Sequence, residues 1–313
     1  MKGCARILAF AVVLCLVGGC ASFQEGAFRL VISAERALSG LEKGSVEING
    51  QRVVYLSREG HGETIVLLHG FGADKDNWVR LVRYLPEEYR VYAFDLPGHG
   101  ETGFQAEQTY DLEFITGGFS KAVDELGLEK FHLAGNSMGG WISMYYTSEN
   151  PDRVLTLCLI DPAGVNSPVQ SDLQKSLEQG HHVLVPTTGE EFETTLEFVF
   201  HRKPFMPWPI RPVVARKMIQ RAEISRKIWN DYKGGAREAT YLLPTLEIPV
   251  YLIWGDRDRI THVSAAEVYA AHIPHLEVVI MKDCGHVPML ERPKETARHY
   301  GEFLGDQSEK TVR

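Results

Sequence analysis

The stretch FHLAGNSMGGWISMYYTSE, residues 131–149, decides the fold. An apolar run, Phe131 to Ala134, leads through Gly135-Asn136-Ser137-Met138-Gly139-Gly140 into a helical pattern that continues to Glu149. A strand that turns sharply into a helix around G-x-S-x-G is the context in which this motif presents a serine. Because a serine hydroxyl is a weak nucleophile, it must stand on a tight turn beside a base. A Cβ on either flanking glycine would collide with neighbouring backbone. The pattern therefore predicts Ser137 as a nucleophile, exposed at this turn.

Strands and helices alternate on both sides of this stretch. Near-continuous apolar runs predict strands, and apolar residues at helical spacing predict helices between them. Such runs favour a mostly parallel sheet with helices on both faces, which is an α/β fold. The predicted strands are 51–56 (paired with the segment before it), 64–68, 90–94, 131–134, 154–160, 250–254 and 276–281, and the predicted helices are 112–126, 138–149, 263–272 and 291–304.

The alternation stops between residues 165 and 245. This segment has several helical patterns, no strong strand, and a proline-rich aromatic passage at 203–209. We therefore expect one core, formed by 46–164 and 246–306, with a helical insertion at 165–245. Both ends of the insertion leave the carboxyl edge of the sheet, where ligands bind in α/β folds, so it is expected to form a lid over Ser137. Its apolar residues Phe205 and Trp208 are candidate substrate contacts, with internal packing as the alternative.

A base and an acid are expected on loops late in the chain. His286 closely follows the last predicted strand, in Asp283-Cys284-Gly285-His286-Val287-Pro288. Asp256 and Asp258 both follow the strand before it, and the order Ser, Asp, His is that expected of this arrangement. Asp161, after the strand at 154–160, is a third candidate acid, although a strand-end cap is the favoured interpretation.

Two backbone N–H groups are needed to stabilise an oxyanion. The N–H of Met138, which follows the nucleophile at the start of a helix, is one candidate. The other should come from the loop His69-Gly70-Phe71-Gly72. The loop at 95–100 is interpreted as structural, with Asp95 accepting hydrogen bonds from backbone groups. His69 and His99 are interpreted as scaffold residues.

Residues of roughly 46 to 304 resemble the α/β-hydrolase family. The resemblance implies that the last residue of its W-G-x-x-D pattern, here Asp258, is the catalytic acid, which leaves Asp256 as a turn residue. It also implies that the residue after the His-Gly pair, here Phe71, is the second oxyanion donor.

Four motifs narrow the resemblance: HGFGADKDNW, GNSMGG, WGDRDRI and GHVPM. Together they are similar to bacterial membrane-anchored lipases and phospholipases of the lysophospholipase type, which implies a serine hydrolase acting on lipid esters. They also resemble carbon–carbon bond hydrolases of aromatic ring-fission products. A non-catalytic binding lipoprotein on a hydrolase fold is a further alternative. The sequence departs from many relatives at Glu101-Thr102, and the insertion carries no assignable motif.

The N-terminus predicts attachment to a membrane. Positive charges at Lys2 and Arg6 precede an apolar run that ends in Leu16-Val17-Gly18-Gly19-Cys20. This arrangement resembles the bacterial lipoprotein signal, which implies a signal peptide at 1–19 and acyl chains on Cys20. An uncleaved signal anchor is the alternative, and both place the folded domain outside the cytoplasm beside a bilayer. Residues 20–45 would form the tether, with an amphipathic linker helix at Phe28 to Leu41.

The amino-acid composition excludes several classes of protein. The 313 residues are 44% hydrophobic and 24% charged with a net charge of −8, which is typical of a globular protein and does not favour nucleic acid binding. No residue cluster with metal-ligand spacing and no phosphate-binding loop occurs, so neither a metal nor another cofactor is expected. Cys158 and Cys284 are interpreted as separate thiols, with a disulfide left open. The oligomeric state is left open as well.

Overall fold

The computed structural model describes residues 21–206, 208, 210–235 and 238–312. The signal region and Cys20 lie outside these residues. The strands are β1 Glu42–Ile48, β2 Gln51–Arg58, β3 Thr64–Leu68, β4 Arg90–Phe94, β5 Phe131–Asn136, β6 Val154–Ile160, β7 Val250–Gly255 and β8 Leu276–Met281. The helices are α1 Ala21–Leu38, α2 Val79–Val82, α3 Leu112–Glu125, α4 Met138–Glu149, α5 Asp172–Glu178, α6 Gly189–Val199, α7 Ile210–Gln220, α8 Ala222–Gly235, α9 Ala265–His272, α10 Pro288–Glu291 and α11 Pro293–Val312. Short 3-10 helices lie at Lys75–Trp78, Pro151–Arg153 and Ala239–Thr245.

The strands form one sheet in the order β1-β2-β4-β3-β5-β6-β7-β8. β2 is antiparallel to both β1 and β4, and every pair from β4 to β8 is parallel. The predicted mostly parallel α/β sheet is confirmed. Strands β3 and β5 lie side by side at its centre, so the loops after them meet at one edge.

Two hydrophobic cores cover the two faces of the sheet. Ile65 and Leu67 of β3 pack into one core, and Val66 and Leu68 into the other. Because successive side chains of a strand point to opposite faces, a strand buried on both faces must be apolar throughout. All residues of β3, β5 and β7 are buried, which explains why their sequences are mostly apolar.

The segment between β6 and β7 is helical, as expected, but the expectation that both its ends lie at the carboxyl edge of the sheet is wrong. Because β6 and β7 are parallel, the segment leaves β6 at the carboxyl edge and enters β7 at the opposite edge. Its helices are α5 to α8, and two of them begin at clear N-caps. Ser171 forms a capping box with Gln174, and Thr188 accepts a hydrogen bond from the N–H of Glu191. The insertion also contributes to the core, since Ile228 and Tyr232 of α8 are buried within it.

The N-terminal helix differs in its limits from the prediction. It spans Ala21–Leu38 rather than 28–41, and Gly40 ends it in the left-handed conformation while the N–H of Leu41 bonds the carbonyl of Arg36. A glycine at this position is the usual way for a helix to satisfy its last carbonyls. The sheet then begins at Glu42, inside the segment expected to be tether. No helix among the described residues has the length and apolar character needed to cross a membrane.

Candidate active site

Ser137 lies in the turn between β5 and α4. Its backbone is at φ 55° and ψ −119°, outside the regions that ordinary residues prefer. A Cβ on Gly135 would lie 2.2 Å from the carbonyl oxygen of Gly139, and one on Gly139 would lie 2.2 Å from that of Leu68. The glycines therefore allow the turn to close, as the sequence predicts. Ser137 is only 8% exposed, so the expectation of an exposed serine is wrong.

His286 and Asp258 meet on the neighbouring loops. The Nδ1–H of His286 donates to Oδ2 of Asp258 at 2.7 Å, and both side chains are buried. Backbone N–H groups of Ile260 (2.7 Å) and Thr261 (3.1 Å) donate to Oδ1 of Asp258, and the Thr261 hydroxyl donates to Oδ2 at 2.7 Å. These four donors fix the carboxylate. Asp256 instead accepts from the N–H of Cys284 at 3.4 Å.

The serine and the histidine belong to the same cluster. Asn136, the residue before the serine, donates through Nδ2 to the carbonyls of Ile160 (3.0 Å) and His286 (3.1 Å) and so joins the two loops. Among the described residues, no hydrogen bond connects the Ser137 hydroxyl to His286. Such bonds are often long before a substrate binds. Sequence reasoning missed the role of Asn136 because it treated this position of the motif as variable.

The loop after β3 passes directly beside Ser137. A Cβ on Gly70 would lie 3.1 Å from the Cβ of Ser137, so a side chain here would push the loop and the serine apart. Within the described chain, the next N–H, that of Phe71, donates no hydrogen bond. The Met138 N–H lies in the first turn of α4, where N–H groups have no partner inside the helix. Both predicted oxyanion donors are thus on backbone that borders the serine.

A buried carboxylate holds this loop in place. Oδ1 of Asp95 accepts the N–H of Lys75 and Oδ2 accepts its ammonium, each at 2.8 Å, while the N–H of Glu101 donates to Oδ2 at 2.7 Å. His69 accepts the N–H of Leu96 at Nε2 and contacts the Gly70 carbonyl through Nδ1, and burial lowers its pKa to about 4. Burial also lowers the pKa of His99 to about 3. Both histidines are neutral at physiological pH, which fits a scaffold role.

Asp161 lies beside Asp258 and His286, which its interpretation as a strand-end cap does not require. It follows β6, is fully buried, and has φ 45°. One of its carboxylate oxygens, one of Asp258 and one ring nitrogen of His286 all lie within 4.8 Å of one another. Its Oδ1 does accept the N–H of Gly255 from the next strand at 2.8 Å, as a cap would. These three groups could also bind a cation, but Nδ1 of His286 is already bonded to Asp258.

The insertion contacts this cluster at two places. The N–H of His286 donates to the carbonyl of Val199 at the end of α6 at 2.9 Å. On the other side, the Phe71 ring lies 5.1 Å from that of Trp229 in α8 and 6.5 Å from that of His182. The insertion therefore packs against the loops that carry His286 and Phe71, both of which border the turn of Ser137. His182 and Trp229 were not recognised in the sequence because no motif marks them.

Phe205 and Trp208 lie elsewhere on the insertion. They are 82% and 59% exposed, and the Trp208 ring is 6.4 Å from that of Phe23 in α1. The described contacts do not bring either residue to Ser137. Cys158 and Cys284 are both free and buried.

Comparisons with known proteins agree with this geometry. The model of the alpha/beta hydrolase family matches residues 65–299. Lipase 1 of Psychrobacter immobilis is 34% identical over 281 residues, which cover 87% of each chain. Human monoacylglycerol lipase ABHD6 is 31% identical over 263 residues, covering 80% of this chain and 77% of the relative.

Among solved structures, one described as a membrane phospholipase A, a novel bacterial virulence factor, superimposes with a TM-score of 0.89. It is 38% identical, and the match covers 98% of this chain and 99% of that one. The chain therefore belongs to the alpha/beta hydrolase family and is an ester hydrolase.

Proposed function

We propose that this enzyme hydrolyses lipid esters at a membrane, with Ser137 as nucleophile, His286 as base and Asp258 as the orienting acid. The observation that carries the proposal is the 2.7 Å bond between His286 and Asp258 on loops beside the Ser137 turn. This bond leaves Nε2 of the imidazole unprotonated, so it is able to accept a proton from the serine.

The reaction proceeds in two halves. Oγ of Ser137 attacks the acyl carbonyl carbon while its proton moves to Nε2 of His286, and the N–H groups of Phe71 and Met138 stabilise the oxyanion. The C–O bond of the ester then breaks, and the alcohol leaves with the proton from His286. Water next attacks the acyl-serine, again losing a proton to His286. The fatty acid leaves, and Ser137 regains its hydrogen.

A lipid substrate is supported by the names of the relatives and by the surface of the insertion. Two relatives are called lipases and a similar solved structure a phospholipase. The residues around Phe71 include the aromatic Trp229 and the half-buried His182, which offers apolar contact area to an acyl chain.

Action at a membrane is supported by the exposed aromatic side chains. Phe23, Phe205 and Trp208 are all more than half exposed, and Phe23 and Trp208 are neighbours. Exposed apolar clusters of this kind mark interaction surfaces. Cys20, the proposed site of acylation, directly precedes α1. Acyl chains attached to it would therefore lie near these exposed residues.

The function is tested with a panel of purified enzymes and substrates. Ser137→Ala should lower hydrolysis of short esters, monoacylglycerols, phospholipids and lysophospholipids by on the order of 10⁶-fold, because no other group supplies the nucleophile. Ser148→Ala, on the helix that follows Ser137 but outside the site, serves as the matched control. Melting temperatures should show that both variants fold. Activity of Ser137→Ala within tenfold of the wild type would refute the proposal, and a panel without any lipid hydrolysed would refute the substrate class.

A further inference from the structure

The proposed mechanism does not account for the protonation state of Asp161. Its side chain is fully buried, and in the described part of the chain no N–H or O–H group donates to its Oδ2. A carboxylate oxygen that is ionised, buried and without a donor is strongly destabilising. A second carboxylate, that of Asp258, lies within 4.8 Å. Two like charges this close in a buried site cannot both be retained at ordinary pH.

The hydrogen bonds indicate which carboxyl group keeps the negative charge. Asp258 receives four donors, from Ile260, Thr261 and His286. Asp161 receives a single donor at Oδ1, the N–H of Gly255. Since hydrogen bonds to the charged form stabilise that form, Asp258 is the ionised member of the pair and Asp161 is the protonated one.

Most of the remaining groups around Asp161 also favour its protonated form. Burial and the charge of Asp258 raise the pKa of Asp161 well above its usual range, the Gly255 N–H lowers it, and the Glu291 carboxylate raises it further. The Cys284 thiol also lies near it, and burial raises the pKa of that thiol, so the thiol contributes no negative charge. The imidazole of His286 is turned to Asp258 through Nδ1.

We propose that Asp161 is a positioning residue that acts as a neutral carboxylic acid, with its Oδ2–H directed to the Asp258 carboxylate. This inference rests on the proposed triad. The protonated Asp161 adds a donor to Asp258 without adding charge, and it fixes the carboxylate that orients His286. The backbone carbonyl oxygen of Asp161 lies 3.2 Å from the Thr261 hydroxyl, whose single hydrogen is donated to Asp258 at the shorter distance of 2.7 Å.

Two substitutions distinguish a neutral Asp161 carboxyl group from an ionised one. Asp161→Asn keeps an acceptor for Gly255 and places an NH₂ donor where the proposal puts the O–H, so kcat should stay within about threefold of wild type and the acidic limb of the kcat/KM profile should not move. Asp161→Leu removes the donor and should lower kcat about 10- to 100-fold with little change in KM, since Asp161 does not touch substrate. Both are measured on a soluble short ester.

A charged Asp161 would give a different profile. An ionised carboxylate near His286 stabilises the imidazolium, so Asp161→Asn would then shift the acidic limb down by about two pH units. That shift would overturn the proposal, as would a folded Asp161→Leu enzyme with wild-type kcat. Ser137→Ala, measured in parallel, separates the two ideas: an active Ser137→Ala enzyme refutes the triad itself, whereas an inactive one leaves only Asp161 in question.

Two further measurements do not depend on Asp161→Leu folding. The infrared difference spectrum of wild type minus Asp161→Asn at neutral pH should contain the C=O stretch of a protonated carboxyl, and its absence would overturn the proposal. The folded wild type also keeps a proton that the unfolded chain releases above its ordinary carboxyl pKa of about 3.9, so its stability falls as pH rises above that value. The melting temperature of Asp161→Asn relative to wild type should therefore increase with pH, and a constant difference would contradict a raised pKa.

Discussion

At the scale of single residues, backbone groups hold one oxygen of the Asp258 carboxylate and side chains hold the other. Oδ1 of Asp258 is held by the N–H groups of Ile260 and Thr261, which leaves Oδ2 for the Thr261 hydroxyl and for His286. The two oxygens of this carboxylate are therefore not equivalent. This asymmetry determines how the site responds to a substitution that keeps the shape of the side chain.

Asp258→Asn should reduce kcat by on the order of 10⁴-fold, the size found when a triad aspartate becomes asparagine elsewhere. The amide oxygen must take the Oδ1 position, because two N–H groups point at it. The NH₂ then faces Nδ1 of His286, which forces the proton onto Nε2, where it blocks transfer from Ser137. The measurement is kcat on a soluble ester, with the fold checked by melting temperature.

Asp256→Asn is the matched control for this change. Asp256 lies two residues earlier on the same loop, and its contact with the Cys284 N–H is long at 3.4 Å. We expect kcat to change by less than about threefold. A larger loss of turnover from Asp256→Asn than from Asp258→Asn, in folded proteins, would reverse the assignment of the acid.

The difference between these two aspartates was predictable only through the family pattern. Periodicity placed both after the same strand, and spacing alone could not say which faces His286. For Asp161 the sequence gives the position of the residue but not its contact. Its position at the end of β6 was visible in the sequence, but its distance from Asp258 depends on the pairing of β6 with β7, whose loops carry the two residues. Such a contact arises from tertiary packing and leaves no local pattern.

At the scale of elements, apolar runs located the buried strands closely. β3, β4, β6 and β8 have the predicted limits, because their apolar residues contrast sharply with the polar loops on either side. The N-terminal helix was located less well. Its described residues have no buried side chain, so there is no strong apolar face to define where it begins.

The insertion combines two kinds of apolar residue that the sequence did not separate. Ile210 is buried at the start of α7, whereas Phe205 and Trp208 on the segment before it are exposed. Proline prevents regular helix in this passage, so neighbouring side chains need not share a face. Only the exposed pair is available to a lipid surface. The burial of Ile210 excludes it from this exposed surface.

Replacing Phe205 and Trp208 with Ser should lower activity on long-chain lipids in vesicles while sparing a short soluble ester. Each side chain that is lost from a bilayer reduces partitioning by on the order of tenfold, and the described contacts place neither residue at the triad. Both activities, and co-sedimentation with vesicles, are measured on the double variant.

Tyr241→Ser provides the control for this experiment. Tyr241 is an aromatic residue of the same insertion, 56% exposed, and it lies in the 3-10 helix before β7. It should leave both activities unchanged. If the Phe205 and Trp208 double variant loses both activities equally while folded, these residues support the structure and do not contact lipid.

At the scale of the whole molecule, α1 connects the core to the insertion. Near its C-terminal end, the Arg36 guanidinium makes two hydrogen bonds of 2.6 Å to Asp76 in the core. Near its N-terminal end, Arg216 of α7 donates to Gln24 at 2.7 Å, and the Lys217 ammonium lies 3.9 Å from the centre of the Phe28 ring. The N-terminal end of α1, at Ala21, therefore lies beside the insertion and not at the far side of the sheet.

This geometry gives the proposed acylation of Cys20 a structural consequence. Acyl chains attached one residue before Ala21 would hold the exposed surface of Phe23, Phe205 and Trp208 against the bilayer. Each buried CH₂ contributes about 0.8 kcal/mol, and two chains are needed for stable attachment. Cys20→Ala should therefore release the enzyme from membranes or block its processing, while the purified domain keeps its activity on a soluble ester.

Cys15→Ala, in the same apolar segment, is the matched control and should leave the enzyme membrane-bound. Mass spectrometry of the mature N-terminus measures the outcome directly. A lipoprotein begins at Cys20 with acyl mass added, whereas a signal anchor begins at Met1 without it. Because the apolar run from Ile7 to Val17 is shorter than the roughly 20 residues that span a bilayer, attachment by that run alone is expected to be weak. A Cys20→Ala protein that keeps Met1 and stays in the membrane fraction would therefore establish the anchor and exclude acylation as the means of attachment.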